Sequence, residues 1–169
     1  NQQILRPRFT TAADLVRWMG AVQAQDYPGG LWAVGLRLAE ALEKDIEDAI
    51  AARSIVRTWP MRRTLHFVPA ADVRWMLRHL ASRAITGSAG RYRALGLDDT
   101  VFARSRALLC RALAGGNRLT RKDAYAVLEK GGVSPAGQRG FHILSHLAQQ
   151  VLICFGPRAR STHPAPFAC

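Results

Sequence analysis

The sequence predicts a mainly α fold with small β-hairpins, built as two similar modules in tandem. Three observations carry this. Apolar residues recur at helical spacing from Thr11 to Arg53, and the period then changes at Ser54 to an alternating stretch rich in β-branched and aromatic residues. Three helices followed by a hairpin is the helix-turn-helix order in which the hairpin forms a wing. The order helix, helix, helix, strand, basic turn then recurs after residue 99. Together these describe tandem winged-helix modules.

The elements follow in order. "TAADLVRWMGAVQ" sets Leu15, Trp18, Met19 and Val22 at helical spacing behind a Thr11 cap, with Asp14 three residues on. "LWAVGLRL" reads as a short second helix after a break at Pro28-Gly29-Gly30. "EKDIEDAIAAR" turns Ile46, Ala49 and Ile50 inward. In "SIVRTWPMRRTLHFVP", Ile55 to Trp59 is expected to pair antiparallel with Thr64 to Val68, with Arg62 and Arg63 at the tip. "AADVRWMLRHLASRA" is a trailing helix with Val73, Met76, Leu77 and Leu80 on one face and Arg74 and Arg78 on another.

"TGSAGRYRALGLDD" has three glycines and little periodicity and reads as a linker. Beyond it, "DTVFARSRALLCRALA" and "LTRKDAYAVLEKGG" are amphipathic, the latter capped by Thr120 and closed by Gly131-Gly132. "SPAGQRGFHILSHLAQQ" starts with Ser134 as cap and Pro135 in the first turn. "VLICFGPRAR" is a strand entering a basic turn, and "STHPAPFAC", with two prolines, makes a poor return strand. The expected organisation is a first winged helix with its trailing helix over 1–86 and a linker over 87–99. A second winged helix with an incomplete wing covers 100–157, and an irregular tail covers 158–169.

The formal charge of +12 comes almost wholly from arginine, since lysine stands only at 44, 122 and 130. Arginine forks phosphate and stacks on bases, so the excess points to a polyanion. Residues 1–84 hold 12 basic against 8 acidic side chains, and residues 85–169 hold 12 against 4. The second module is therefore expected to bind phosphate more strongly. The cysteines, at 110, 154 and 169, form no C-x-x-C pair, which argues against both a disulfide framework and a zinc ribbon. The longest uncharged stretch, Phe141 to Pro157, is too short and too polar to span a membrane. With no basic-then-apolar leader, and Asn1 in place of a methionine, the expectation is a trimmed or partial cytoplasmic protein.

The third helix of a winged helix normally enters the major groove of DNA. In the first module it carries Glu43, Asp45, Glu47 and Asp48, which would meet phosphates with like charge. In the second, Gln138, His142 and Gln149, with Ser145 or His146 between, make an acid-free stripe suited to DNA or simply to solvent, and Arg139 is a further candidate for DNA contact. His142 and His146 lie one turn apart, as metal ligands do, but Ile143 stands where zinc hydrolases place glutamate and no third ligand is near. No metal is expected. A lone histidine on a strand is usually packed and hydrogen-bonded. With Arg57, Arg62 and Arg63 as neighbours, His66 is expected beside a phosphate.

Gln23 and Gln25 flank one alanine. An amide is no general base near neutral pH, so the pair is not a hydrolase dyad of the carboxylate kind. In an extended segment the two side chains would point the same way and could fix one water between them. That suffices where the leaving group is already good, as in a base made cationic by alkylation at a ring nitrogen. On spacing alone, two solvated residues at a frayed helix end remain the simpler reading.

"VQAQDYPGGLWAVGLRL" followed by "RSIVRTWPMRRTLHFV" resembles the AlkZ-like winged-helix DNA glycosylases, over residues from about 10 to about 157. The resemblance implies tandem winged helices bound to duplex DNA and excision of bulky alkylated or crosslinked bases. It implies Gln23 and Gln25 as the catalytic Gln-x-Gln motif, and a monofunctional, cofactor-free hydrolase of DNA repair. Lys44 in an acidic helix, and Lys122 and Lys130 in the other module, are poor amines for a lyase. The family usually has glycine at the position of Arg63, and its third winged helix is missing here, so a truncated chain is expected. A non-catalytic winged-helix transcriptional regulator and a degenerate paralogue acting through protein contacts are the alternatives.

Overall fold

The structure, a computed structural model, describes residues 4–158 and the backbone of residues 167 and 168. Helix α1 (Ala12–Met19) starts as expected, with the Thr11 hydroxyl accepting from Asp14 N at 3.2 Å, and buries Leu15 and Val16. It stops earlier than its periodicity suggests. Gly20 sits at φ 75°, a left-handed value that reverses the chain. The residues that follow form strand β1 (Val22–Gln23) instead of a last helical turn, and Trp18 faces outward.

Helix α2 (Tyr27–Gly35) begins before the Pro-Gly-Gly sequence, not after it. The Asp26 carboxylate accepts from Gly29 N at 3.0 Å, and Pro28 occupies a first-turn position that needs no N–H. Gly30 answers a packing demand, since a Cβ there would stand 2.9 Å from Ala24 Cβ and 3.0 Å from the Phe67 ring. Helix α3 (Glu43–Ala51) inserts Ile46 and Ile50 into the same core.

Strands β2 (Ile55–Met61) and β3 (Thr64–Pro69) form the expected hairpin, with Val56 opposite Val68, Thr58 opposite His66, and Arg62 and Arg63 at the tip. The expected alternation does not give one wet face, because residues 57–60 and 65–69 are all buried. Helix α4 (Val73–Thr86) covers β2 and reaches α8 (Arg139–Gln149), burying Met76, Leu77, Ala81 and Ala84, while Leu80 stays at the rim. Residues 87–99, expected as a linker, hold helix α5 (Ala89–Ala94) and place Tyr92 and Leu97 in the core.

Helix α6 (Asp99–Leu113) is capped by Asp98, and α7 (Arg121–Lys130) by the reciprocal Thr120 and Asp123 box. Strand β4 (Arg118–Leu119) precedes α7. Helix α8 starts at Arg139, later than Ser134 and Pro135 suggest, and leads to β5 (Cys154–Phe155). The tail was expected to be irregular, yet Phe167–Ala168 forms β6, antiparallel to both β5 and β4. Both prolines of the tail precede the paired residues; the rest of it lies outside the described residues.

The protein is thus mainly helical with one small antiparallel sheet, ordered β1-β3-β2-β5-β6-β4. One core gathers α1, α2 and α3 around Ile55 and Phe67. The other gathers α5 to α8 and takes Trp59 and Leu65 from the hairpin, so β2 and β3 feed both.

Candidate functional site

The turn at Gly20 brings residues 22–25 alongside β3. Val22 pairs with Phe67 and Gln23 with His66, and Ala24 N donates to Leu65 O at 2.8 Å. Along this run Val22 and Ala24 are buried while Gln23 and Gln25 are exposed. The two amides therefore share one face of an extended segment. Gln25 is also anchored, because its Oε1 accepts from Leu65 N at 3.0 Å. That leaves its NH2 group and one lone pair for another partner. Asp26 turns away to cap α2.

Directly opposed residues of antiparallel strands lie on the same face. Gln23, His66 and Thr58 therefore form a row across β1, β3 and β2. The His66 ring bonds through Nδ1 to Thr64 O at 3.0 Å. Burial pulls its pKa below the ordinary histidine value, the Thr64 carbonyl opposes this, and Arg62 adds to it. The ring is accordingly neutral at pH 7. Thr58 is fully buried, with its Oγ1 unpartnered.

At the hairpin tip the exposed Arg62 and Arg63 adopt φ values of 52° and 58°. The Arg63 guanidinium donates to Gly87 O, tying the tip to the end of α4. Met61, Arg62 and Arg63 line a cleft of about 700 Å³ with His79, Leu80 and Arg83 of α4. Arg91 donates to Gln138 Oε1 at 2.7 and 3.2 Å, joining α5 to the start of α8. Next to it the half-buried His142 is held below its ordinary pKa by burial, then by Arg91 and Arg63. Arg62, Arg63, Gln138 and His142 thus belong to one basic surface, together with Arg83 and Arg91.

Two arginines expected at DNA are committed elsewhere. Arg139 donates to Ser134 O at 2.9 Å, to Gly96 O at 3.1 Å and to Leu95 O, bracing the end of α5. Arg57 is only 8% exposed and lies in the row Val22, Phe67, Arg57, on the sheet face opposite Gln23. Its Nε donates to Ala24 O at 3.0 Å and its Nη2 to Gln25 O at 3.2 Å, with the Tyr27 and Phe155 rings 5.1 and 4.9 Å from the guanidinium carbon. The rest of the polar stripe on α8 is inside, not at a groove: Ser145, His146 and Gln149 are buried, and His146 stacks on Phe102 at 3.8 Å. The helix is central to its core, so only its first turn meets solvent.

Sequence reasoning missed Tyr27, Arg83 and Arg91. The signal for Arg57 as a buried group was present, since it is the lone charge in the apolar run "IVRTW". Among the described residues, no cluster of three or more His, Cys, Asp or Glu could hold a metal, and no helix is long and apolar enough to cross a membrane.

The model of the family described as DNA glycosylase AlkZ-like matches residues 16–167. The chain belongs to the AlkZ-like DNA glycosylase family. The solved structure of Streptomyces sahachiroi DNA glycosylase AlkZ superposes with a TM-score of 0.77 at 26% identity. That match covers 99% of this chain but 46% of the AlkZ chain, so this member spans about half the length of its structural relative. No curated protein matches it. The family match reaches to residue 167 and so includes the Gln-x-Gln segment, the hairpin, and one of the paired residues of β6.

Proposed function

We propose that the chain is the DNA-facing part of a monofunctional, cofactor-free glycosylase that hydrolyses the N-glycosidic bond of alkylated or crosslinked bases. We divide it into winged-helix modules over 1–86 and 100–157, with 87–99 between them. The sheet order supports the division. Reading inward from each edge, β1-β3-β2 of the first half has the same arrangement as β4-β6-β5 of the second.

The observation that carries the reaction is the shared outward face of Gln23 and Gln25, in line with His66 and next to the basic hairpin tip. A base alkylated at a ring nitrogen leaves as a neutral molecule, so its C1′–N bond breaks without strong acid assistance. The sugar becomes an oxocarbenium ion. What remains is to present water to C1′, and two amides on one face do this by hydrogen bonding. Arg62, Arg63 and Gln138, with the first turn of α8 at His142, are assigned to the DNA backbone. The regulator alternative is weakened at both candidate reading helices, because the outer face of α3 is acidic and most of α8 is buried.

The test is base release from duplexes carrying an N-alkylated or crosslinked base. Gln23→Ala should reduce the single-turnover rate by about a hundredfold while affinity for the duplex stays within about twofold, because a water-holding amide acts on the transition state. Gln25→Ala should lose a similar factor and also some stability, since Leu65 N loses its acceptor. Unchanged rates in both variants would remove the glutamines from the mechanism.

A further inference from the structure

We propose that Arg57 is the positioning residue of the Gln23–Gln25 segment, acting from the opposite face of the sheet and braced there by Phe155 of the second half. The consequence for rate rests on the glycosylase reading; the geometry stands apart from it.

A charged group this buried needs partners, and those of Arg57 are unusually informative. The guanidinium fork spans two successive carbonyls, Ala24 O and Gln25 O, on either side of the Gln25 Cα. Holding both fixes the plane of each peptide and hence the direction in which the Gln25 side chain leaves the backbone. Leu65 N then takes up that side chain. β1 itself is only two residues long, and beyond it Ala24 N to Leu65 O is the main-chain bond to β3 before the Asp26 cap. Arg57 supplies the rigidity that so short a strand lacks.

The brace is shared between the halves of the chain. Tyr27 comes from α2, while Phe155 on β5 lies in register opposite Arg57. Burial pulls the guanidinium pKa down to about 10, with Tyr27 opposing the shift, so the group remains charged at neutral pH. Arg57 stands behind the sheet from Gln23, so it reaches substrate only through the main chain it holds.

The experiment uses the whole 169-residue chain with Arg57→Met, Arg57→Lys and Phe155→Leu. The probe is a duplex containing a single N7-methylguanine. Single-turnover base release and duplex affinity are measured together with hydrogen exchange of the Leu65 amide and the side-chain amide resonance of Gln25. Arg57→Met should slow release about a hundredfold, the scale set by misplacement of about 1 Å, with affinity unchanged. Its Leu65 amide should exchange faster and its Gln25 resonance should broaden or shift. Arg57→Lys, which keeps the cation but reaches one carbonyl, should fall between parent and Met, as should Phe155→Leu. Parent-like rates and Leu65 exchange in Arg57→Met would overturn the proposal, as would losses of rate and affinity in equal measure. If that variant does not fold, the same criteria apply to the other two. If the parent chain releases no base, the glycosylase reading fails while Leu65 exchange and the Gln25 resonance still decide the role of Arg57.

Discussion

At the scale of single residues, the hairpin tip carries a conflict that the sequence announces. Arg62 and Arg63 both adopt left-handed backbone conformations, where a Cβ costs about 1–2 kcal/mol and glycine costs nothing. Glycine is the residue the family resemblance leads one to expect at position 63. The guanidinium of Arg63 bonds Gly87 O and contributes charge to the cleft, which offsets part of the strain. Alanine is usually the more stabilising of the two small residues, but here the order should reverse. Arg63→Gly should be more stable than Arg63→Ala by about 1 kcal/mol in urea denaturation, while both lose the same duplex affinity. An Ala variant equal to or more stable than Gly would show that the tip relaxes out of the left-handed region. The turn was legible because two polar residues stood between two apolar runs. The extended path of Gln23 and Gln25 was not, because helical spacing from Leu15 to Val22 hid the one contrary residue, Gly20. Arg57 was misread for a different reason: a charge on a strand says nothing about which carbonyls will meet it.

Among elements, the capped helices were the most legible. Thr11 and Thr120 begin α1 and α7 where their hydroxyls and nearby acids predicted. Tertiary packing overrode local chemistry in α5, where Tyr92 and Leu97 outweigh three neighbouring glycines, and in α8, where Ser145, His146 and Gln149 of the polar stripe are buried. Helix α8 also gives a pH dependence. Burial lowers the pKa of His146, only partly opposed by Asp99; its Nδ1 is buried without a partner while Nε2 faces the Gln150 amide at 2.9 Å. The unfolded chain, with an ordinary histidine pKa near 6.5, therefore takes up the proton first as pH falls. Stability is fully present above about pH 6.5 and is lost as pH drops through the lowered folded-state value. His66 and His142 shift in the same direction. The melting temperature should fall from pH 7 to pH 5, and His146→Phe should flatten that decline. A variant with the parent's slope would place the effect on His66 and His142.

For the whole molecule, net charge divided by halves counts arginines without placing them. Residues 85–169 carry the larger excess, yet the arginines that line the cleft at the hairpin tip come from the first half: Arg62 and Arg63 from the hairpin, and Arg83 from α4. The second half adds Arg91, already bonded to Gln138, while Arg104, Arg106 and Arg111 lie on α6. What the sequence could not show is that one sheet joins the halves and turns the hairpin tip toward α5 and α8. If this surface receives duplex DNA, each phosphate contact releases counterions and contributes about −0.9 to the slope of log K against log salt. Replacing Arg62, Arg63 and Arg83 together with glutamine should make that slope shallower by about 2.7, at about 0.9 per lost contact, for unrelated sequences alike. The triple replacement of Arg104, Arg106 and Arg111 removes the same formal charge from a different element and should change the slope much less. Titrations over a range of salt concentrations distinguish the two. Equal losses would mean that duplex DNA responds to the overall positive field of the protein, and the cleft beside the hairpin tip would no longer mark its path.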